Sequence, residues 1–218
     1  MLGEIKTHPI KKNMSSQTPD TPQQRHAIRK QMRAFRQQLT PEQQLLAARQ
    51  LSQILMSQPW FQRAKNIAMY IANDGEIDPI VVSAKAQFRG RRCLLPSLHP
   101  LKEGQLCFAD YNGPRKKNKF GISEPDPKKN TLIKSNQLDI VLLPLVAFDA
   151  AGGRLGMGGG YYDRTFEFLK RGTGKKPKLI GLAHDFQRME YLPIESWDVP
   201  LDAIVTDKQV LLVNSTSR

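Results

Sequence analysis

The residues whose types and spacing could do chemistry are concentrated between Asp149 and Asp163. Six glycines, Gly152, Gly153, Gly156, Gly158, Gly159 and Gly160, surround Arg154, and the run closes on Tyr161, Tyr162 and Asp163. Glycines let the backbone approach a ligand closely and adopt positive φ. The open N–H groups at the start of the following helix, with its dipole, favour an anion. Arg154 adds a planar, permanently charged fork suited to phosphate. Asp163 offers a carboxylate oxygen to Mg²⁺. Together these groups read as a nucleotide triphosphate site. The competing reading is a glycine-rich surface loop without a ligand, because glycine motifs alone carry little information. No Lys-Ser or Lys-Thr follows the glycines, so this is not a P-loop. Tyr161 stands where a dinucleotide fingerprint needs glycine or alanine.

Elements on either side must position that loop. The apolar run from Leu138 to Asp149 has the pattern of one strand buried on both faces. Phe166 and Leu169 follow Tyr162 at helical spacing, which predicts an amphipathic helix. Upstream, a helix is expected over Gln24–Gln38, with Arg25 and Arg29 one turn apart on a shared face. Thr40, Pro41 and Gln43 form a capping box with proline at the first helical position. The stripe of Leu45, Leu46, Ala48, Leu51, Ile54 and Leu55 behind them is core. Strands are expected at Asn66–Ala72, Arg92–Pro96, Gln105–Tyr111, Lys178–His184 and Val210–Val213, with a helix from Pro79 capped by Asp78. Glu76 would then sit at the carboxyl end of a strand, where open α/β sheets place ligands; its plain alternative is a solvated loop acid. His184 and Asp185 look like a catalytic pair, but adjacent strand residues face opposite ways, so the pair is read as structural.

The 218 residues suit one domain: a flexible extension over residues 1–22, then an α/β domain over 23–214. Two cysteines, Cys93 and Cys107, are too few for a disulfide framework, and the first residues lack a signal peptide's apolar stretch. A cytoplasmic, membrane-free monomer is expected. The net charge of +13 invites a nucleic-acid reading. The positive charge, however, falls in three separate clusters, at residues 1–36, 111–134 and 170–178, without zinc-finger, RNP-like or basic-zipper spacing. Small polyanions suit such clusters as well. Nucleic-acid binding stays open as an alternative that predicts a steep salt dependence.

The longer string from Pro144 to Asp163, containing Ala147-Phe148-Asp149 and Arg154-Leu155-Gly156 through Tyr161-Tyr162-Asp163, resembles the 5-formyltetrahydrofolate cyclo-ligase family. Three further strings agree in order: Arg25 and Arg29, Glu76-Ile77-Asp78, and Phe120-Gly121-Ile122 with Glu124-Pro125. Trp197-Asp198-Val199-Pro200-Leu201-Asp202 adds a C-terminal match. The resemblance covers about Arg25 to Val213. Pro79 stands where the family has threonine, and Arg25 where lysine is common.

The alternation of strands and helices predicts a three-layer α/β/α domain with a mixed, largely parallel sheet, and the resemblance implies a fold related to sugar-phosphate isomerases; isomerase activity itself rests on fold kinship alone. It implies ATP- and Mg²⁺-dependent conversion of 5-formyltetrahydrofolate to 5,10-methenyltetrahydrofolate, with ADP and phosphate released. ATP would be held by Arg25, Arg29, Arg154, Leu155, Gly156, Met157, Gly158, Gly159, Gly160, Tyr161 and Tyr162. Arg154 and Arg29 would stabilise the transferring phosphoryl group. The folate would meet Ile71, Glu76, Met157, Gly158, Gly159, Gly160 and Tyr161, with Phe120 near the pocket. Asp163 and Asp198 would bind magnesium. The basic residues before Phe120 would meet a (poly)glutamate tail.

Overall fold

The computed structural model of the chain describes residues 21–171 and 177–213. The expected extension, residues 1–22, falls almost wholly outside the described residues, as does much of the third basic cluster. Thr21 and Pro22 belong to the first helix, two residues earlier than the expected boundary.

Five α-helices and twelve strands follow in the order α1 (Thr21–Gln37), α2 (Pro41–Ser57), α3 (Pro59–Gln62), β1 (Asn66–Ala68), α4 (Ile80–Phe88), β2 (Arg92–Leu98), β3 (Leu106–Asp110), β4 (Arg115–Lys117), β5 (Ser123–Pro125), β6 (Ile140–Pro144), β7 (Ala147–Asp149), β8 (Arg154–Leu155), α5 (Tyr161–Phe166), β9 (Lys178–Leu182), β10 (Arg188–Met189), β11 (Ala203–Val205) and β12 (Val210–Leu212), counted among the described residues. The main sheet has the order β12-β11-β9-β6-β1-β2-β3. Its five inner strands run parallel, and the two edge strands β12 and β3 are antiparallel to their neighbours. The sheet is therefore mixed and largely parallel, as expected.

Alternation along the strands sends residues to two faces. Ile67, Met69, Ile140, Leu142 and Ile180 face Leu51, Leu55, Phe61 and Val82 of α2, α3 and α4. Ala68, Val141, Leu143 and Leu179 face Phe166 of α5 together with Phe108 and Phe148. The chain winds outward from β1 through α4 to β2 on one side, and from β6 through α5 to β9 on the other. The winding direction thus reverses between β1 and β6, the place where such sheets leave a crevice at their strand ends.

α2 begins as its sequence requires: the Gln43 N–H donates to Thr40 Oγ1 at 3.3 Å, and the Thr40 N–H to Gln43 Oε1 at 2.9 Å. Leu51 and Leu55 are fully buried, each contributing roughly 1.5–3 kcal/mol. Leu45 and Leu46, expected in that core, are instead 46% exposed. They lie on the helix flank that the sheet does not reach.

Three expected elements are shorter or broken. The strand expected over Asn66–Ala72 pairs only as far as Ala68, so Glu76 lies in the loop before α4 rather than at a strand end. The helix after the glycines is α-helical only to Phe166 and tightens into a 3₁₀ turn, Glu167–Arg171. The run Leu138–Asp149 is two strands in two sheets. The Leu145 N–H donates to Leu182 O of the main sheet at 3.1 Å, while the next N–H, Val146, donates to Leu155 O of the small sheet at 2.7 Å. That small sheet, β10-β7-β8, carries α1, whose Met32 packs with Val146, Ala147, Leu155 and Leu192.

Candidate functional site

The change of sheet after Pro144 throws β7 and β8 across the carboxyl ends of β6 and β1, and the glycine run emerges there. Gly156–Gly160 is strapped to α1 at one end, where Arg29 Nε donates to Gly156 O at 2.8 Å. At Gly158, φ is +95°, a backbone conformation that favours glycine, and an added Cβ would merely touch the Arg29 guanidinium carbon at 3.4 Å, so it is the backbone and not the space that calls for glycine. Gly160, at φ +63°, starts α5. Arg164 fastens the other end, donating to Gly159 O and, at 2.9 Å, to Gly104 O, with its guanidinium over the Tyr161 ring. Burial, followed by the neighbouring Arg25 charge, lowers the pKa of Arg29.

The two expected metal ligands are each held by an arginine. Asp163 Oδ1 accepts from Arg154 Nη2 and, at 3.0 Å, from the Val199 N–H; Arg154 Nε donates back to Val199 O at 3.0 Å. Asp198 takes a two-pronged contact from Arg25, 3.0 Å to Oδ2 and 3.3 Å to Oδ1, and its Oδ2 also accepts the Glu195 N–H at 2.9 Å. Asp198 and Val199 are consecutive, so both carboxylates belong to one knot. Arg25 and Arg154 are buried, at 9% and 6% exposure. Buried arginines facing a cleft are costly unless paired, and the two aspartates provide that pairing.

Across the cleft lies Glu76. Its Oε2 accepts the Asn73 N–H at 3.1 Å. Burial pushes its carboxyl up to about 7, against smaller opposing effects of the Asn73 hydrogen bond and the Arg36 charge. Tyr70 and Tyr162 stand near it, both with phenol pKa values raised by burial and then by the Glu76 charge. Tyr162 is stacked on Phe166 and Tyr70 donates to Ile77 O, so both rings are fixed. Phe120 projects from the loop between β4 and β5, edge-on to Tyr161 at 6.0 Å. Glu124 of that hairpin is buried, and its Oε2 accepts from the Leu98 N–H at 3.0 Å and from Asn118 Nδ2 at 3.2 Å. This anchors the hairpin to β2.

One cleft of about 750 Å³ unites these groups. Its walls include Arg25, Arg29, Ile71, Glu76, Phe120, Arg154, Gly156, Met157, Gly158, Gly159, Gly160, Tyr161, Tyr162, Asp163 and Asp198, so the expected residues converge although they come from five stretches of chain. Leu155 is the exception: its side chain lies in the core under α1. His184 and Asp185 do not form a dyad. Burial lowers the His184 pKa to about 4 and its ring stacks on Phe186, while Asp185 Oδ1 accepts from Thr206 and Gln209. Cys93 and Cys107 are free and buried, and burial pushes the Cys93 thiol up to about 11.

Several residues of the cleft were not found from sequence. Trp197 is 62% exposed in the cleft wall, and a lone tryptophan in a loop string carries no spacing signal for a site. Arg33, Arg36 and Asp74 form a network behind Glu76; the Asp74-Gly75 turn was its one visible signal. Among the described residues no helix is long and apolar enough to cross a membrane, and no group of three or more His, Cys, Asp or Glu forms a protein-only metal cage.

The sequence profile of the 5-formyltetrahydrofolate cyclo-ligase family matches residues 21–207. The chain is 40% identical over 182 residues to the 5-formyltetrahydrofolate cyclo-ligase of Escherichia coli (strain K12), covering 82% of this chain and 98% of that protein. It is 41% identical over 181 residues to that of Haemophilus influenzae, covering 82% and 95%. Among solved structures, the 5,10-methenyltetrahydrofolate synthetase of Aquifex aeolicus superposes with a TM-score of 0.73 at 30% identity, covering 88% of this chain and 93% of that one. The Mycoplasma pneumoniae synthetase superposes with a TM-score of 0.65 at 27% identity, covering 84% and 98%.

Proposed function

Because the chain belongs to the 5-formyltetrahydrofolate cyclo-ligase family, we propose that its cleft binds Mg-ATP and 5-formyltetrahydrofolate together and activates the formyl oxygen by phosphorylation. The observation that carries this reading is the single cleft in which a glycine run flanked by two arginines faces a desolvated glutamate.

The chemistry accounts for the parts. An amide oxygen is a poor leaving group. Transfer of the γ-phosphoryl group of ATP to the formyl oxygen breaks the bond to the β-phosphate oxygen and releases ADP. N10 then attacks the activated formyl carbon and loses its proton, and phosphate departs with the former formyl oxygen. Ring closure yields the 5,10-methenyl product. Such a transfer needs alignment and charge stabilisation rather than a protein nucleophile.

The Gly158–Gly160 amides and Arg29 bind the phosphates, and Arg154 faces the transferring group. Met157 and Tyr161 flank the folate's reacting end. Glu76 accepts two N–H bonds from the aminopyrimidinone edge, a task that needs its ionised form. Ile71 and Phe120 cover the ring system, and the basic residues of the β4–β5 hairpin meet the glutamate tail.

The donor set fits magnesium. Mg²⁺ is commonly held by one or two carboxylates together with substrate phosphates, and Asp163 and Asp198 form such a pair. Asp163 and Asp198 would hold the ion, which would supply positive charge against the phosphates. Arg25 and Arg154, which pair with these carboxylates, would add positive charge beside the bound phosphates.

The test mixes purified protein, 5-formyltetrahydrofolate, ATP and magnesium, and follows the near-ultraviolet absorbance of the methenyl product. Signal growth only with ATP and magnesium both present is expected. Product without ATP, or no product from protein that binds both substrates, overturns the reading.

A further inference from the structure

The turn that presents Glu76 is gripped from behind by α1. Asp74 has φ +53°, a left-handed conformation uncommon outside glycine, and Gly75 follows at +72°. Three side chains of α1 converge on the Asp74 carboxylate: Arg33 Nε at 2.6 Å and Arg36 Nη2 at 2.8 Å on Oδ2, and Gln37 Nε2 at 2.6 Å on Oδ1. A Cβ on Gly75 would lie 2.8 Å from Arg36 O, so the turn rests directly on the helix backbone. Gln44 of α2 donates to Gly75 O at 3.1 Å. The turn then closes on itself, Glu76 N–H to Asn73 O at 3.1 Å and Asn73 N–H to Glu76 Oε2 at 3.1 Å.

Arg36 is a costly way to fill that space. Its side chain is fully buried, and its Nε has no partner among the described residues. An apolar residue of similar volume would pack there at less cost in desolvation. What an apolar residue could not do is hold Asp74.

We propose that Arg36, with Arg33 and Gln37, is a positioning clamp that acts through Asp74 to aim Glu76 at the bound folate. The proposal rests on the folate reading of the cleft. The clamp has a second consequence. The same helix carries Arg25 and Arg29 at the phosphate end, and the eleven residue steps of helix from Arg25 to Arg36 span about 16 Å. One rigid rod therefore sets the distance between the phosphate contacts and the pterin contact. A displacement of about 1 Å in such an arrangement can cost up to 100-fold.

The experiment is a double-mutant cycle between Asp74→Asn and Glu76→Gln, reading KM for each substrate, kcat, melting temperature and equilibrium affinity for 5-formyltetrahydrofolate. The Asp74→Asn variant is expected to raise the folate KM and Kd about tenfold while the ATP KM changes less than about twofold. Adding Glu76→Gln to it then costs less than about threefold more, because the carboxylate is already misaimed. Additive effects, or equal rises in both KM values, overturn the clamp and leave Asp74 a structural residue. If Asp74→Asn does not fold, Arg33→Met combined with Gln37→Ala, both made at exposed hydrogen bonds, must give the same folate-only rise at about threefold. A combined variant with unchanged folate affinity overturns the clamp too. The equilibrium affinity decides the matter even without turnover. A wild-type chain that binds folate but makes no product refutes the proposed reaction and not the clamp, whereas one that binds no folate refutes both.

Discussion

Glu76 is a carboxylate whose charge state changes near neutral pH, and its proposed task requires the charged form. Its pKa stands at about 7 rather than 4.5, chiefly because the folded chain strips it of water. Near pH 6 about a tenth of the free enzyme then carries ionised Glu76, and near pH 8 about nine-tenths. The apparent KM for 5-formyltetrahydrofolate should therefore be about tenfold higher at pH 6 than at pH 8. In Glu76→Gln the KM should be high and flat, and the wild-type-to-variant ratio cancels the substrate's own ionisation. Stability should move the opposite way. A carboxyl with a raised folded pKa binds more protons folded than unfolded between about 4.5 and 7, so stability is full below that window and falls as pH rises through it. The lift from 4.5 to about 7 corresponds to about 3 kcal/mol at most. At pH 8 the Glu76→Gln chain should thus melt higher than wild type while using folate worse. The assays are initial rates at saturating Mg-ATP from about pH 6 to pH 8, and thermal melts over the same range. A ratio that does not change with pH, or a variant that melts lower at pH 8, would refute the reasoning.

Two further outcomes follow from the cleft. Arg154→Met should lower kcat by about 10³-fold or more, since a guanidinium on a transferring phosphoryl group commonly contributes that much. Circular dichroism must show the variant folded, because breaking a buried pair also costs about 3–5 kcal/mol of stability, and a folded variant within tenfold of wild-type kcat would remove Arg154 from its role. The chain has two tryptophans, of which Trp197 lies exposed in the cleft wall while Trp60 packs against Phe61 at the rim of the core. Nucleotide binding should change fluorescence in Trp60→Phe and leave Trp197→Phe silent; a signal persisting without Trp197 would place the nucleotide elsewhere.

The glycine run, Arg154 and the aspartate in the first turn of α5 were legible because their chemistry is local: residue type and spacing alone state it. The Thr40 capping box was legible for the same reason. The break after Pro144 was not. A buried strand and two buried strands meeting at a bend both read as unbroken apolar residues, and only the partners of the Leu145 and Val146 N–H groups tell them apart. The Arg36–Asp74 contact joins residues 38 apart in sequence, and a helix pattern shows only neighbours on its own face. Leu155 was assigned to the site by its place in the motif, yet strand alternation beside Arg154 turns it into the core. Leu45 and Leu46 show the converse, since an apolar stripe does not reveal how wide a surface the partner offers.

The bend at Leu145 also governs how the molecule comes apart. Gln187 Nε2 donates to Leu145 O at 2.7 Å and to Val146 O at 2.8 Å, and Arg36 Nη1 reaches Leu145 O at 3.4 Å. The carbonyls that the sheet gives up are thus completed by the first helix and by a turn some forty residues downstream. Either piece lifting away strands buried acceptors, at about 1–3 kcal/mol each, so the opening of α1 and that of the Gln187 turn are coupled. Amides of α1, β7 and the segment around Gln187 should exchange with solvent in one cooperative opening, and the same opening dismantles the cleft.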